Sequence, residues 1–76
     1  MSEMDIYDLF DVIDSIYEYN HTSPHQIAHE LGFSTIKLTN ILNIFVQNGI
    51  IAITDYDEII TLISYDKAVD IINSLK

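Results

Sequence analysis

The sequence predicts one small α+β domain, mostly helical, and three observations predict it. Apolar residues recur at spacings of three and four in several separate segments, the period of a helix with one buried face. Two β-branched runs, residues 50–54 and 59–63, flank a short acidic tip, as the strands of a β-hairpin do. A chain of 76 residues, 49% of them hydrophobic, supports one dense core and leaves no room for a second.

Taken in order, helix 1 is expected over about 4–19. Ile6, Leu9, Phe10, Ile13, Ile16 and Tyr17 form its apolar stripe, and the aspartates lie mostly off it. Val12 and Tyr19, seven apart, also lie off the stripe. Asn20, His21 and Thr22 make a polar break. Ser23 is then a good N-cap, Pro24 suits the first helical position and Gln26 stands where a capping box wants it. Helix 2, about 24–31, turns Ile27, Ala28 and Leu31 inward, and Gly32 ends it with a positive φ. After Phe33, Ser34 caps helix 3, about 35–48, with Leu38, Ile41, Leu42 and Phe45 facing inward and Asn48-Gly49 closing it. The hairpin spans about 50–63, with Asp55-Tyr56-Asp57-Glu58 at its tip. A last helix, about 65–75, carries Ala68, Ile72 and Leu75 on one face, with Val69 and Ile71 off it.

Composition excludes several classes. There is no Cys, hence neither a disulfide framework nor a thiolate metal site. No apolar run approaches the ~20 residues of a membrane span, and the acidic start has no signal-peptide pattern, so a soluble, cytoplasmic protein with no membrane partner is expected. No nucleophile stands beside a base and no Gly-rich phosphate loop is present, so neither catalysis nor a cofactor is expected. His25 and His29 lie four apart, with His21 just before, a spacing that suits a metal, but two surface imidazoles are the plainer reading and no metal is expected. Twelve acids against three lysines and no arginine give a net charge of -9, which repels nucleic acid at long range. The acids are unevenly placed. Glu3, Asp5, Asp8, Asp11, Asp14 and Glu18 lie in the first segment, and Asp55, Asp57, Glu58, Asp66 and Asp70 in the last third. The aspartates at 5, 8, 11 and 14 step by three and drift round the helix, as a solvated face does. Between Leu31 and Thr54 there is no acid, and a single base, Lys37.

Ile27-Ala28-His29-Glu30-Leu31-Gly32-Phe33-Ser34 resembles the helix-turn-helix signature of winged helix-turn-helix transcriptional regulators of the small prokaryotic, archaeal, plasmid or viral type. A small Ala lets two helices cross closely, a Gly makes the tight turn, and a Ser caps a helix whose positive end can meet a phosphate. Phe45, Gln47, Asn48, Gly49, Ile50 and Ile51 are similar to the end of the family's recognition helix and its first wing strand. The likeness covers about residues 24–63. It implies a winged helix-turn-helix: a three-helix core, a β-hairpin wing and a C-terminal helix.

Carried over by position, the outward face of helix 3 holds Thr35, Ile36, Lys37, Thr39, Asn40, Asn43, Ile44 and Gln47. Asn and Gln pair bidentately with adenine, and Asn40, Asn43 and Gln47 share one face. Thr39 and Ile36 suit a thymine methyl, Lys37 a phosphate, and Ser34 and Thr35 the DNA backbone. The expected function is therefore a regulator that binds double-stranded, A·T-rich DNA with helix 3 in the major groove. A plain solvated helix face is the competing reading of the same residues. The chain departs from the family at its acidic hairpin tip and in its lack of arginine, so affinity would need a second protomer. Val12, Tyr19, Val69 and Ile71 suggest a homodimer through the terminal helices, with pairing only on DNA as the alternative. The alternative is a protein-interaction winged helix using Ile36, Ile44 and Val46, or the acidic hairpin against a basic partner. Charge placement discriminates: acids opposite helix 3 favour DNA, and hairpin acids close beside it favour a protein. Richness in Ile, Asn, Tyr and Asp without Arg suggests an A·T-rich coding genome.

Overall fold

A computed structural model describes residues 6–20 and 23–75. Its elements are α1 (Ile6–Tyr17), α2 (Pro24–Leu31), α3 (Thr35–Gln47), β1 (Ile51–Ile53), β2 (Ile59–Thr61) and α4 (Tyr65–Ser74). Glu3, and Met4 and Asp5 at the expected start of helix 1, lie outside the described residues, as do His21 and Thr22 of the polar break. The result is a mostly helical α+β layout of four helices and one two-stranded antiparallel hairpin.

Serine starts three of the four helices. Ser23 Oγ accepts from the Gln26 N–H at 3.4 Å, Ser34 Oγ from the Lys37 N–H at 3.1 Å, and Ser64 Oγ from the Lys67 N–H at 3.3 Å. Each satisfies a backbone donor that the helix leaves without a partner. The first two are the caps expected from the sequence, and Ser64-Tyr65-Asp66-Lys67 carries the same local signal for the third. Between α2 and α3 the chain turns on Gly32, φ +70°, and the N–H groups of Gly32 and Phe33 both donate to the Ala28 carbonyl. That left-handed conformation is why glycine stands there.

The core is aliphatic around one ring. Ile13, Ile16, Ile27, Ile41 and Ile72 share one buried cluster with Phe45, which is fully buried. α1 packs along α4 and also touches α2 and β2; α2 lies on α3, and α3 leads into β1. Val12 corrects the sequence reading. It was placed off the apolar stripe as a dimer contact, yet it has 0% exposure. α1 has partners on more than one side, so its buried face is wider than a single stripe and takes in Val12 and Ser15. Ile71 also packs against the core, while Tyr19 and Leu75 are exposed, Leu75 contrary to its expected inward face.

The hairpin pairs Ile51 with Thr61, Ala52 with Ile60 and Ile53 with Ile59. Alternation buries Ile51 and Ile59 and leaves Ile60 exposed. The strands are shorter than the β-branched runs, but Leu62 N–H to Ile50 O at 2.9 Å and Thr54 N–H to Glu58 O at 2.9 Å continue the ladder at both ends. Two tyrosines tie α1 to the opposite end of the chain. Tyr17 donates to the Ile63 carbonyl at 2.8 Å, and Tyr65 donates to Asp14 at 2.9 Å; the two rings meet edge to face, centroids 5.7 Å apart. Burial pushes the Tyr17 phenol above its ordinary pKa. The hydrogen bond to Asp14 does the same for Tyr65, helped by partial desolvation and by the negative charges of Asp14, Glu18 and Asp66. Among the described residues no helix is long and apolar enough to cross a membrane.

Candidate recognition surface

α3 turns Leu38, Ile41, Leu42 and Phe45 into the core. At ~100° per residue the opposite side of the helix is left to Ile36, Asn40, Asn43 and Gln47. All four are exposed, Ile36 at 76%. The three amides therefore do share one solvent face, with an isobutyl-sized apolar group at its start. Thr35 and Thr39 lie to one side of this row and Lys37 and Ile44 to the other. Ile44 is half-buried against the core, while Val46 is exposed.

Lys37 is engaged within the chain. Its ammonium nitrogen lies 2.9 Å from Asp8 Oδ2 on α1 and 4.3 Å from the centre of the Phe33 ring. The side chains keep 35% and 19% of their exposure, so the pair is part-buried. No signal in the sequence paired these residues, which lie far apart in the chain. The base that the sequence assigns to a phosphate thus meets a carboxylate first.

On the threonine side runs a groove of about 690 Å³. Thr35, Thr39 and Asn43 of α3 form one wall, Ser23 and His25 at the start of α2 another, and Tyr56, Asp57 and Glu58 of the hairpin tip the third. Ala28, Leu38, Leu42 and Ile53 lie beneath. The hairpin tip is held in one shape. Thr54 Oγ1 accepts from the Tyr56 N–H at 3.2 Å and the Glu58 N–H at 3.1 Å, and the Asp57 N–H donates to the Thr54 carbonyl at 3.0 Å. Asp57 sits at φ +60°, a conformation that Asp tolerates better than most residues. Tyr56 is 91% exposed. The groove was not legible in the sequence, because it depends on how far the hairpin folds back towards α3.

Charge placement follows from this. The tip carboxylates stand beside α3 and not behind it. The N-terminal ends of α2 and α3, the places on the fold best suited to an anion, line the same groove as Asp57 and Glu58. His25 and His29 are both exposed, and among the described residues no three of His, Cys, Asp or Glu come together as a metal site would require. No protein-family model matches this chain, and no curated protein and no solved structure matches it.

Proposed function

We propose that the chain is a winged-helix-like protein-interaction module that offers α3 and the groove beside it to a partner protein. The observation that carries this is the position of Asp57 and Glu58 on the wall facing Thr35, Thr39 and Asn43. A duplex seated on α3 would bring phosphates towards those carboxylates. It would find one cation on the helix, already paired with Asp8. Each phosphate neutralised adds ~0.9 to the salt slope of binding, and with none neutralised that whole source of affinity is lost. Three amide–adenine pairs, each worth ~1–3 kcal/mol of discrimination between bases, choose a sequence but do not replace the affinity that phosphate contacts supply. A protein partner bears the same association cost but brings no row of phosphates against those carboxylates. The exposed Ile36, Val46 and Tyr56 supply apolar and aromatic contact area of the kind that interfaces concentrate.

The second reading is the regulator that binds A·T-rich duplex DNA as a dimer, which makes up the missing affinity. The acid-free row of Asn40, Asn43 and Gln47 favours it. Of the four side chains expected at a dimer contact, Tyr19 is exposed, Val69 and Ile71 are half-buried and Val12 is in the core.

Two measurements separate the readings. Selection of bound duplexes from a random pool, at low and at physiological salt, should enrich nothing. Enrichment of one A·T-rich site, lost in an Asn40→Ala/Asn43→Ala variant that still folds, would replace the partner reading with the DNA one. A photo-crosslinking residue at Thr39 should capture one defined protein in the cells that make the chain, and the same residue at Asp70, outside the groove, should not.

A further inference from the structure

We infer that the occupant of the groove between α3 and the hairpin is a basic, partly apolar peptide segment of the partner, with an arginine or lysine head at the tip beside Tyr56, Asp57 and Glu58. The inference rests on the partner-protein reading and names the chemistry that reading leaves open. A groove of about 690 Å³ is within the usual size of ligand sites, large enough for a few side chains with their backbone. Its floor and walls differ in kind. Ala28 and the 37%-exposed Ile53 offer aliphatic surface above Leu38 and Leu42. Thr35, Thr39 and Asn43 offer donors and acceptors to a peptide backbone. The far wall is anionic, with the carboxylates of Asp57 and Glu58.

Charge complementarity excludes most other guests. A phosphate, a nucleotide or an acidic peptide would be placed against Asp57 and Glu58. A bare cation would leave the aliphatic floor uncovered. A side chain with an aliphatic stem and a cationic head satisfies both surfaces at once. Tyr56 adds an exposed aromatic face next to the two carboxylates, which suits a planar guanidinium best because it stacks and pairs with carboxylates in the same pose. The tip needs little ordering on binding, since the three hydrogen bonds at Thr54 set its shape in the free chain.

The test is panning of a random peptide library, displayed on phage, against the full chain. Enriched peptides should carry Arg or Lys among apolar residues and weaken as salt rises. They should shift the backbone amide resonances of Thr39, Asn43 and Ile53. An Asp57→Asn/Glu58→Gln variant removes the charge, and Asn tolerates the positive φ at 57, so the fold should persist, as a thermal melt will verify. Two exposed ion pairs lost should weaken binding by about fivefold or more, and Tyr56→Ala should weaken it independently. No enrichment, enrichment of acidic or purely apolar peptides, or equal binding to the charge-removed variant would overturn the inference. Enriched peptides that shift resonances elsewhere would overturn it while leaving the partner reading in place, whereas duplex enrichment would remove both.

Discussion

Asp8→Asn perturbs the ion pair between Asp8 of α1 and Lys37 of α3, and its effect can be worked from the geometry. At 2.9 Å the unscreened attraction is about 6 kcal/mol for an effective dielectric of ~20. Most of this is cancelled by lost hydration and side-chain freedom. Exposed pairs measure ~0.2–1 kcal/mol, and Asp8, with a fifth of its side chain exposed, belongs at the upper end, about 1 kcal/mol. The assay is a double-mutant cycle of Asp8→Asn and Lys37→Met by thermal and urea denaturation. A coupling of about 1 kcal/mol corresponds to ~4–8 °C in Tm for a domain of this size. The coupling should shrink in high salt. In the Asp8→Asn background, Lys37→Met should still cost ~0.5–1 kcal/mol, because the ammonium also sits over the Phe33 ring. Releasing Lys37 should give the variant a weak affinity for any duplex at low salt, with a salt slope steeper by ~0.9 than the parent's. A coupling below about 0.3 kcal/mol would refute the view that the pair is formed and part-buried in solution. An unchanged duplex affinity would refute the claim that Asp8 withholds Lys37 from phosphate.

Val12→Ala should destabilise the isolated chain by about 2 kcal/mol, two methyl groups' transfer plus a cavity, with a Tm independent of protein concentration; a concentration-dependent loss would return Val12 to a subunit interface. Gly32→Ala should cost ~1–2 kcal/mol in urea denaturation. An added Cβ meets nothing within 4 Å, so only the positive φ acts, and a neutral result would mean that the turn differs. Both Tyr17 and Tyr65 favour the neutral phenol in the folded state. A raised folded pKa means that the stability they contribute is whole below the ordinary phenol value of ~10 and is lost as pH climbs through the folded values. Ultraviolet titration should show two phenols ionising late and together with unfolding, and both titrating normally would contradict the burial of Tyr17 and the hydrogen bond of Tyr65 to Asp14.

The order of elements was legible because local signals agree with one another: serine caps, Gly32, a period of three and four in Leu38-Ile41-Leu42-Phe45, and β-branched runs on either side of a polar tip. The outward row of Asn40, Asn43 and Gln47 was legible for the same reason, since a helix of known register fixes its opposite face. What failed to show were relations between elements. Val12 was misread because a helix gripped by three neighbours has no single stripe. Lys37 was assigned outward because nothing local ties residue 37 to residue 8. The groove was invisible since its far wall comes from a tip whose tilt is set by the Thr54 turn and the packing of Ile51 and Ile59. The charge of the chain was plain from composition, but its bearing on function depended on which side of α3 the hairpin acids stand.

The bond from Tyr17 to the Ile63 carbonyl, with α1 lying along α4, spans 46 positions of the chain. During synthesis, α2 and α3 can pair as soon as both have emerged, for their contacts are close in sequence. α1 can meet α2 early, but the side that lies along α4 stays uncovered until Ile72 is in place. The first helix therefore completes its packing only when the last one arrives, and Asp11 and Asp14 give it polar surface until then.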